Sequence, residues 1–235
     1  MGASEVQHRS VFTANVTSTT LAFSSNVTAG NLLAYLTSDF PQASVAAATD
    51  NNSNTIANAS SFQTTDGDNR VDYVASANSG ATTVTGNAPS GGATLFLHIR
   101  ELAGCATVSP VRDTGTAHST TASVSTSGST SQSGDAVIAF FSDSPAADTM
   151  TVGSGYTDFE FTQDNVSNNE SASSEYKTAT ASGTQTATIG IGGSNTLVQT
   201  IVVFKQAAGG GLVFEDDSFK LGSVPLIDPN VSLWQ

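Results

Sequence analysis

The sequence is short of charge. Of 235 residues only 11% are Asp, Glu, Lys or Arg, against about 25% in ordinary globular domains. Long surface helices draw their solvated face from Glu, Lys and Arg, so the shortage argues against a helical protein. Basic residues are scarcest: Arg9, Arg70, Arg100, Arg112, Lys177, Lys205 and Lys220 face 20 acidic residues, a formal charge of −13. Such a chain repels a phosphate backbone and offers no basic stripe, so nucleic acid is excluded as a partner. Cys105 stands alone. An intrachain disulfide and a cysteine metal cluster are therefore excluded, and a small buried apolar side chain is expected there. The most apolar run, residues 136–141, is far short of the roughly 20 residues that span a bilayer, and no membrane partner is expected. Residues 1–9 hold no apolar stretch, so synthesis in a host cytoplasm without a signal peptide is expected.

What is abundant is Thr, Ser, Ala, Asn and Gly. Thr suits a pleated, half-exposed surface, while Gly, Asn and Ser make turns. Short β-branched, aromatic or alternating runs recur between turn clusters. The clearest cover residues 31–37, 70–74, 94–102, 135–141, 156–161, 175–178, 184–189 and 196–204. In residues 94–102, Leu95, Leu97 and Ile99 alternate with Phe96, His98 and Arg100, which places the two sets on opposite faces. Residues 135–141 are apolar on both faces, as a covered central strand requires. The reading is all-β.

Comparing the chain with itself organises these strands. Gly30-Asn-Leu-Leu-Ala-Tyr-Leu-Thr-Ser-Asp39 aligns with Gly134-Asp-Ala-Val-Ile-Ala-Phe-Phe-Ser-Asp143 at an offset of 104. Residues 71–80 align with 174–183 at 103, and 94–99 with 196–201 at 102. Two related halves, residues 30–102 and 134–204, are expected. Each half has too few strands to cover its own apolar faces, so the halves should pair into a single large β-sandwich of jelly-roll or immunoglobulin-like type spanning residues 1–206. A Gly-rich linker at 207–211 follows. Residues 212–235 then read as an extended C-terminal docking arm, with Phe214, Phe219, Leu226, Ile227 and Trp234 as its contact residues. The arm is too apolar for a free tail and too short to fold alone.

Chemistry is sparse. The chain has no Gly-x-Ser-x-Gly elbow, Walker loop or His-Glu-x-x-His sequence. His98 shares a strand face with Arg100, and a polar structural network explains it better than an acid–base site. Asp50, Asp66 and Asp68 sit in Asn/Asp/Gly clusters that could offer oxygen ligands to calcium. Turn chemistry accounts for such clusters too, and neither metal nor cofactor is expected. Tyr156, Phe159 and Phe161 are candidates for stacking on a sugar, although an alternating core strand also explains Phe159 and Phe161.

The segments 30–33, 49–55, 73–80 and 134–138, with Phe204-Lys205 closing the last strand, resemble a β-sandwich module. That module is repeated in large bacterial surface proteins and occurs in virion structural proteins of tailed phages. The resemblance covers about residues 8–205 and rests on turns and core strands. It implies a virion-surface or extracellular setting and no substrate. The expectation is a non-enzymatic virion structural protein of a tailed phage, a capsid decoration (cement) or other surface protein anchored through its arm. Its partners would be capsid or tail proteins and other copies of itself. The alternative is a carbohydrate-binding or adhesion module that recognises surface glycans.

Overall fold

A computed structural model describes residues 2–40, 44–88, 93–128, 131–144, 149–164, 169–192 and 197–208. The expected arm, with Phe214, Phe219, Leu226, Ile227 and Trp234, lies outside the described residues.

The described residues form strands and turns, with no helix among them. The first half supplies β1 (Ser4–Val16), β2 (Ser18–Ala22), β3 (Leu32–Phe40), β4 (Ala46–Asp50), β5 (Ile56–Gln63), β6 (Asp68–Val74), β7 (Thr83–Asn87) and β8 (Ala93–Ala103). The second supplies β9 (Val111–Ser119), β10 (Ser123–Ser125), β11 (Ala136–Asp143), β12 (Met150–Thr151) and β13 (Thr157–Asp164). It continues with β14 (Glu170–Thr178), β15 (Thr186–Thr188), β16 (Gly190–Ile191) and β17 (Leu197–Phe204). Two five-stranded antiparallel sheets dominate, ordered β1-β8-β3-β6-β5 and β9-β17-β11-β14-β13. The aligned sequence blocks fall on corresponding strands: β3 with β11 at the sheet centres, β6 with β14, and β8 with β17.

The turns recur as well. Gly30 and Gly134 both have positive φ, +85° and +94°, a backbone only glycine adopts without cost. Gly30 N donates to Ala77 O at 3.0 Å, and Gly134 N to Ala179 O at 2.7 Å. Val27 bridges to Gly80 as Ser131 bridges to Gly183. Each pair of bonds fixes the entry into a central strand.

The layering differs from the single two-layer sandwich expected from sequence. The two large sheets do pack on one another, burying Leu32, Leu36, Phe40 and Phe96 against Ile138, Phe140, Val202 and Phe204. Each large sheet also has a covered outer face. In the first half the small sheet β2-β7-β4 contributes Leu21, Ala48 and Val84 over Tyr35, Leu97 and Ile99. In the second half the pairs β10-β15 and β12-β16 contribute Val124, Ala187 and Met150 over Val137, Phe141 and Val203. Each half is thus a small sandwich, and the large sheets of both share a third core. Residues 94–102 divide as their alternation predicts: Leu97 and Ile99 face the outer core, while Phe96 faces the inner one. Cys105 is buried in that inner core, which pushes its thiol up to about 12.

Close approach of backbone constrains β9. A Cβ at Gly115 would collide with the Ser125 carbonyl of the crossing β10 strand. Gly115→Ala is expected to cost roughly 1–3 kcal/mol of stability through overpacking, measurable as a shifted urea midpoint with an unchanged slope.

Candidate functional site: the polar seam between the large sheets

Along β8 the inner face changes character. Phe96, His98 and Arg100 lie two residues apart and share that face. Phe96 packs edge-on to Phe40, but His98 and Arg100 meet a polar patch on β13 and β14. Arg100 is fully buried. Its guanidinium donates to Glu5 Oε1 (2.5 Å), to the Asp158 carbonyl (2.7 Å) and to the Ser174 carbonyl (2.8 Å). It also donates to Ser174 Oγ at 2.9 Å. The fork geometry of arginine suits several carbonyl and carboxylate acceptors at once.

His98 continues the chain. Its Nδ1 lies 2.9 Å from Ser174 Oγ and its Nε2 lies 3.0 Å from Thr162 Oγ1, which donates on to the Ala172 carbonyl. One tautomer closes this network: Ser174 donates to Nδ1, and the Nε2–H donates to Thr162. Burial, with Arg100 beside it, drives the His98 pKa down to about 3, so the ring is neutral. Locked at both nitrogens, His98 is a structural link across the halves.

At the rim two strand irregularities place further side chains. Glu5 pairs with Leu102 and His8 with Arg100. Leu102 and Arg100 share the inner face, so Glu5 and His8 share it too, although they are three residues apart. Val6 is the extra residue of a β-bulge and points outward, 50% exposed. On β13 the register shifts between Thr157 and Glu160, and Asp158 takes a left-handed backbone with φ of +49°. The bulges bring Glu5, His8 and Asp158 together, with candidate ligand atoms within 4.8 Å of one another. His8 Nδ1 is 3.4 Å from Glu5 Oε2, and His8 Nε2 is 3.1 Å from Glu160 Oε1. The Glu160 carboxylate, and after it Glu5, holds the His8 pKa up at about 9 against burial. His8 in turn holds Glu160 down at about 2.

No family model, curated protein or solved structure matches the chain.

The sequence-predicted residues go elsewhere. Asp50 caps its own turn: Oδ1 accepts from the backbone N–H of Asn52 and Asn54, and Oδ2 from Tyr35 Oη at 2.9 Å. Asp66 pairs with His118 at 2.7 Å. Asp68 is buried on β6 and accepts from the Val45 N–H. These three aspartates do not converge on one point; the described cluster is Glu5, His8 and Asp158. Tyr156 is buried under Lys177, whose Nζ lies 4.3 Å from the ring centre. Phe159 and Phe161 stack on each other and pack against the second outer core. Tyr156 is thus withdrawn from a sugar, while Phe159 and Phe161 are half-buried.

A second group of acids is buried on the strands of both large sheets. Asp39 lies directly across from Asp68, and both are buried. Neither oxygen of Asp39 has a hydrogen-bond partner among the described residues. Burial, with Asp68 and Glu170 nearby, raises the Asp39 pKa to about 7. Burial also raises Glu170 to about 7, with Asp164 adding to it. Glu175 is raised to about 7 by burial despite the Gly153 N–H at 2.8 Å.

Proposed function

We propose that this chain is a non-enzymatic structural protein of a virion surface, of the decoration (cement) type found on tailed phages, anchored by residues 212–235. The observation that carries the reading is the quality of the domain's own closure. Large apolar side chains exposed among the described residues are Val6, Val108 and Val152, single positions rather than a patch. Docking surfaces are contiguous apolar areas, and the sandwich presents none of that kind. The chain is also tied off after β17: Lys205 N donates to Pro110 O and Ala207 N to Gly104 O, both at 2.7 Å. Phe214, Phe219, Leu226, Ile227 and Trp234 lie outside the described residues; in this reading they are the apolar anchor, and a capsid or tail protein is their acceptor. Burying one large apolar side chain gains about 1.5–3 kcal/mol, and several together offset the ordering of a Gly-hinged arm at about 1–2 kcal/mol per residue. A −13 charge on a Ser/Thr-covered surface suits display at high copy number without self-association. The test is composition: particles purified from cells carrying the gene in its native neighbourhood should contain this chain by mass spectrometry.

A cleft favours a second reading, glycan binding by the displayed domain. It measures about 440 Å³ and is lined by Asn54, Tyr73, Ser76, Asn78, Ser109 and Pro110. Amide and hydroxyl groups around one aromatic ring suit a sugar. If the cleft binds sugar, a glycan array gives a hit that Tyr73→Ala abolishes; a blank array leaves the domain structural.

A further inference from the structure

We propose that Glu5, His8 and Asp158 form a binding site for a divalent transition cation of the zinc class, at the rim of the seam that joins the two halves. The site is independent of whether the chain sits on a virion. It also departs from the sequence expectation of no metal, which weighed only Asp50, Asp66 and Asp68.

Geometry carries the proposal. Zinc bonds imidazole nitrogen and carboxylate oxygen at about 2.0–2.2 Å, so neighbouring ligand atoms in a tetrahedron lie roughly 3.4 Å apart. Glu5 Oε2 and His8 Nδ1 already stand 3.4 Å apart. The Glu5 side chain is 4% exposed, and the contact of its Oε2 with His8 Nδ1, at 3.4 Å, is too long and poorly aligned for a good hydrogen bond. A buried carboxylate oxygen so weakly satisfied is costly, and this one is aimed at His8. Its sister oxygen is held by Arg100, which fixes the carboxylate plane. Asp158 is exposed and rim-facing, so its side chain has room to close the third position and leave a fourth open to water.

The surroundings match those of a metal-bound histidine. Metal-ligating histidines donate their other ring N–H to a carboxylate, which sets tautomer and orientation. Here Nε2 faces Glu160 at 3.1 Å, and Glu160 is itself fixed by Ser10 Oγ at 2.6 Å. The carboxylates of Glu5, Asp158 and Glu160 gather at this rim beside the single guanidinium of Arg100, an excess of negative charge that a dication offsets. The imidazole selects zinc-like ions over calcium or magnesium, which prefer all-oxygen shells. Both protein halves contribute ligands, so the cation would clamp β1 to β13.

The experiment uses the full chain, stripped with EDTA and desalted. Titration with ZnCl₂ in a calorimeter should give one site per chain and a raised melting temperature, and CaCl₂ should give neither. Asp158→Asn should weaken zinc binding at least 10-fold while leaving the metal-free melting temperature unchanged, because Asp158 is exposed. Glu160→Gln should weaken it about 10–100-fold. His118→Ala, which removes the exposed His118–Asp66 pair, should leave it unaltered. In the zinc-bound protein the His8 ring-nitrogen NMR signals should shift. The proposal is overturned if ZnCl₂ produces neither heat nor stabilisation, if calcium binds equally well, or if Asp158→Asn binds zinc with wild-type affinity.

Discussion

Arg100→Ala is expected to destabilise the protein by about 3–5 kcal/mol, the range seen when one partner of a buried ion pair is removed. The guanidinium is fully buried and satisfies Glu5 Oε1, two main-chain carbonyls and Ser174 Oγ. Alanine would strand the Glu5 charge and both carbonyls in a place water does not reach. It would also remove the Arg100 end of the hydrogen-bond chain, leaving the His98–Ser174 bond as the polar contact between β8 and β14. Arg100→Lys should recover little, since one ammonium cannot span acceptors arranged for a fork. The measurement is urea unfolding followed by circular dichroism. A loss under about 1 kcal/mol, the range of an exposed ion pair, would show that the seam is solvated.

The second large effect is a melting temperature that peaks near pH 4 and falls by at least ~5 °C between pH 5 and pH 8. Asp39, Glu170 and Glu175 all have folded-state pKa values of about 7, above their unfolded values near 4. Between about pH 4 and pH 7 the folded state holds protons that the unfolded state has released, so stability declines as pH rises through that window. His8, raised to about 9, acts in the same direction: its contribution is full below pH ~6.5 and is lost through about pH 9. Glu160 sets the acid limb, because a value of about 2 gives stability that is present above pH ~4.5 and lost as pH falls through about 2. Asp39→Asn should flatten the decline and raise stability at pH 8, since it removes a buried charge facing Asp68. A melting temperature that rises steadily from pH 5 to pH 8 would contradict the burial of these acids.

The strands legible in the sequence are those buried on both faces. β3, β11 and β17 carry apolar runs (residues 32–36, 136–141 and 201–204) because one core lies on each side of them. β1 and β9 are not legible. On β1 the inner face reads Glu5, His8, Ser10 and Phe12, a polar rim ending in one aromatic, and the Val6 bulge breaks the two-residue period. β9 is mostly polar and offers only Val111 and Ala117 to the cores. The outer layer of the second half is only partly legible: the run 184–189 contains β15, but β10, β12 and β16 are two or three residues long, shorter than any periodic signal. The candidate cation site is opaque to sequence because it joins residues far apart in the chain. Within β1, moreover, a spacing of three reads as opposite faces unless the bulge is known. Asp50 shows the reverse: its Asp-Asn-Asn-Ser-Asn cluster reads as a turn, and its carboxylate is occupied with that turn's own N–H groups.

The central claim is that the domain is displayed and residues 212–235 attach it. Particles should be purified by density gradient from cells expressing either the full chain or residues 1–208 beside the native neighbouring genes, and the bound copies counted. The full chain should co-sediment with particles at high, regular occupancy. The truncated chain should keep its β circular dichroism and melting temperature, because the described fold closes by Ala207, yet remain in the soluble fraction. Co-sedimentation of the truncated chain at the same occupancy would contradict the anchoring role, and absence of the full chain from particles would contradict the virion reading itself.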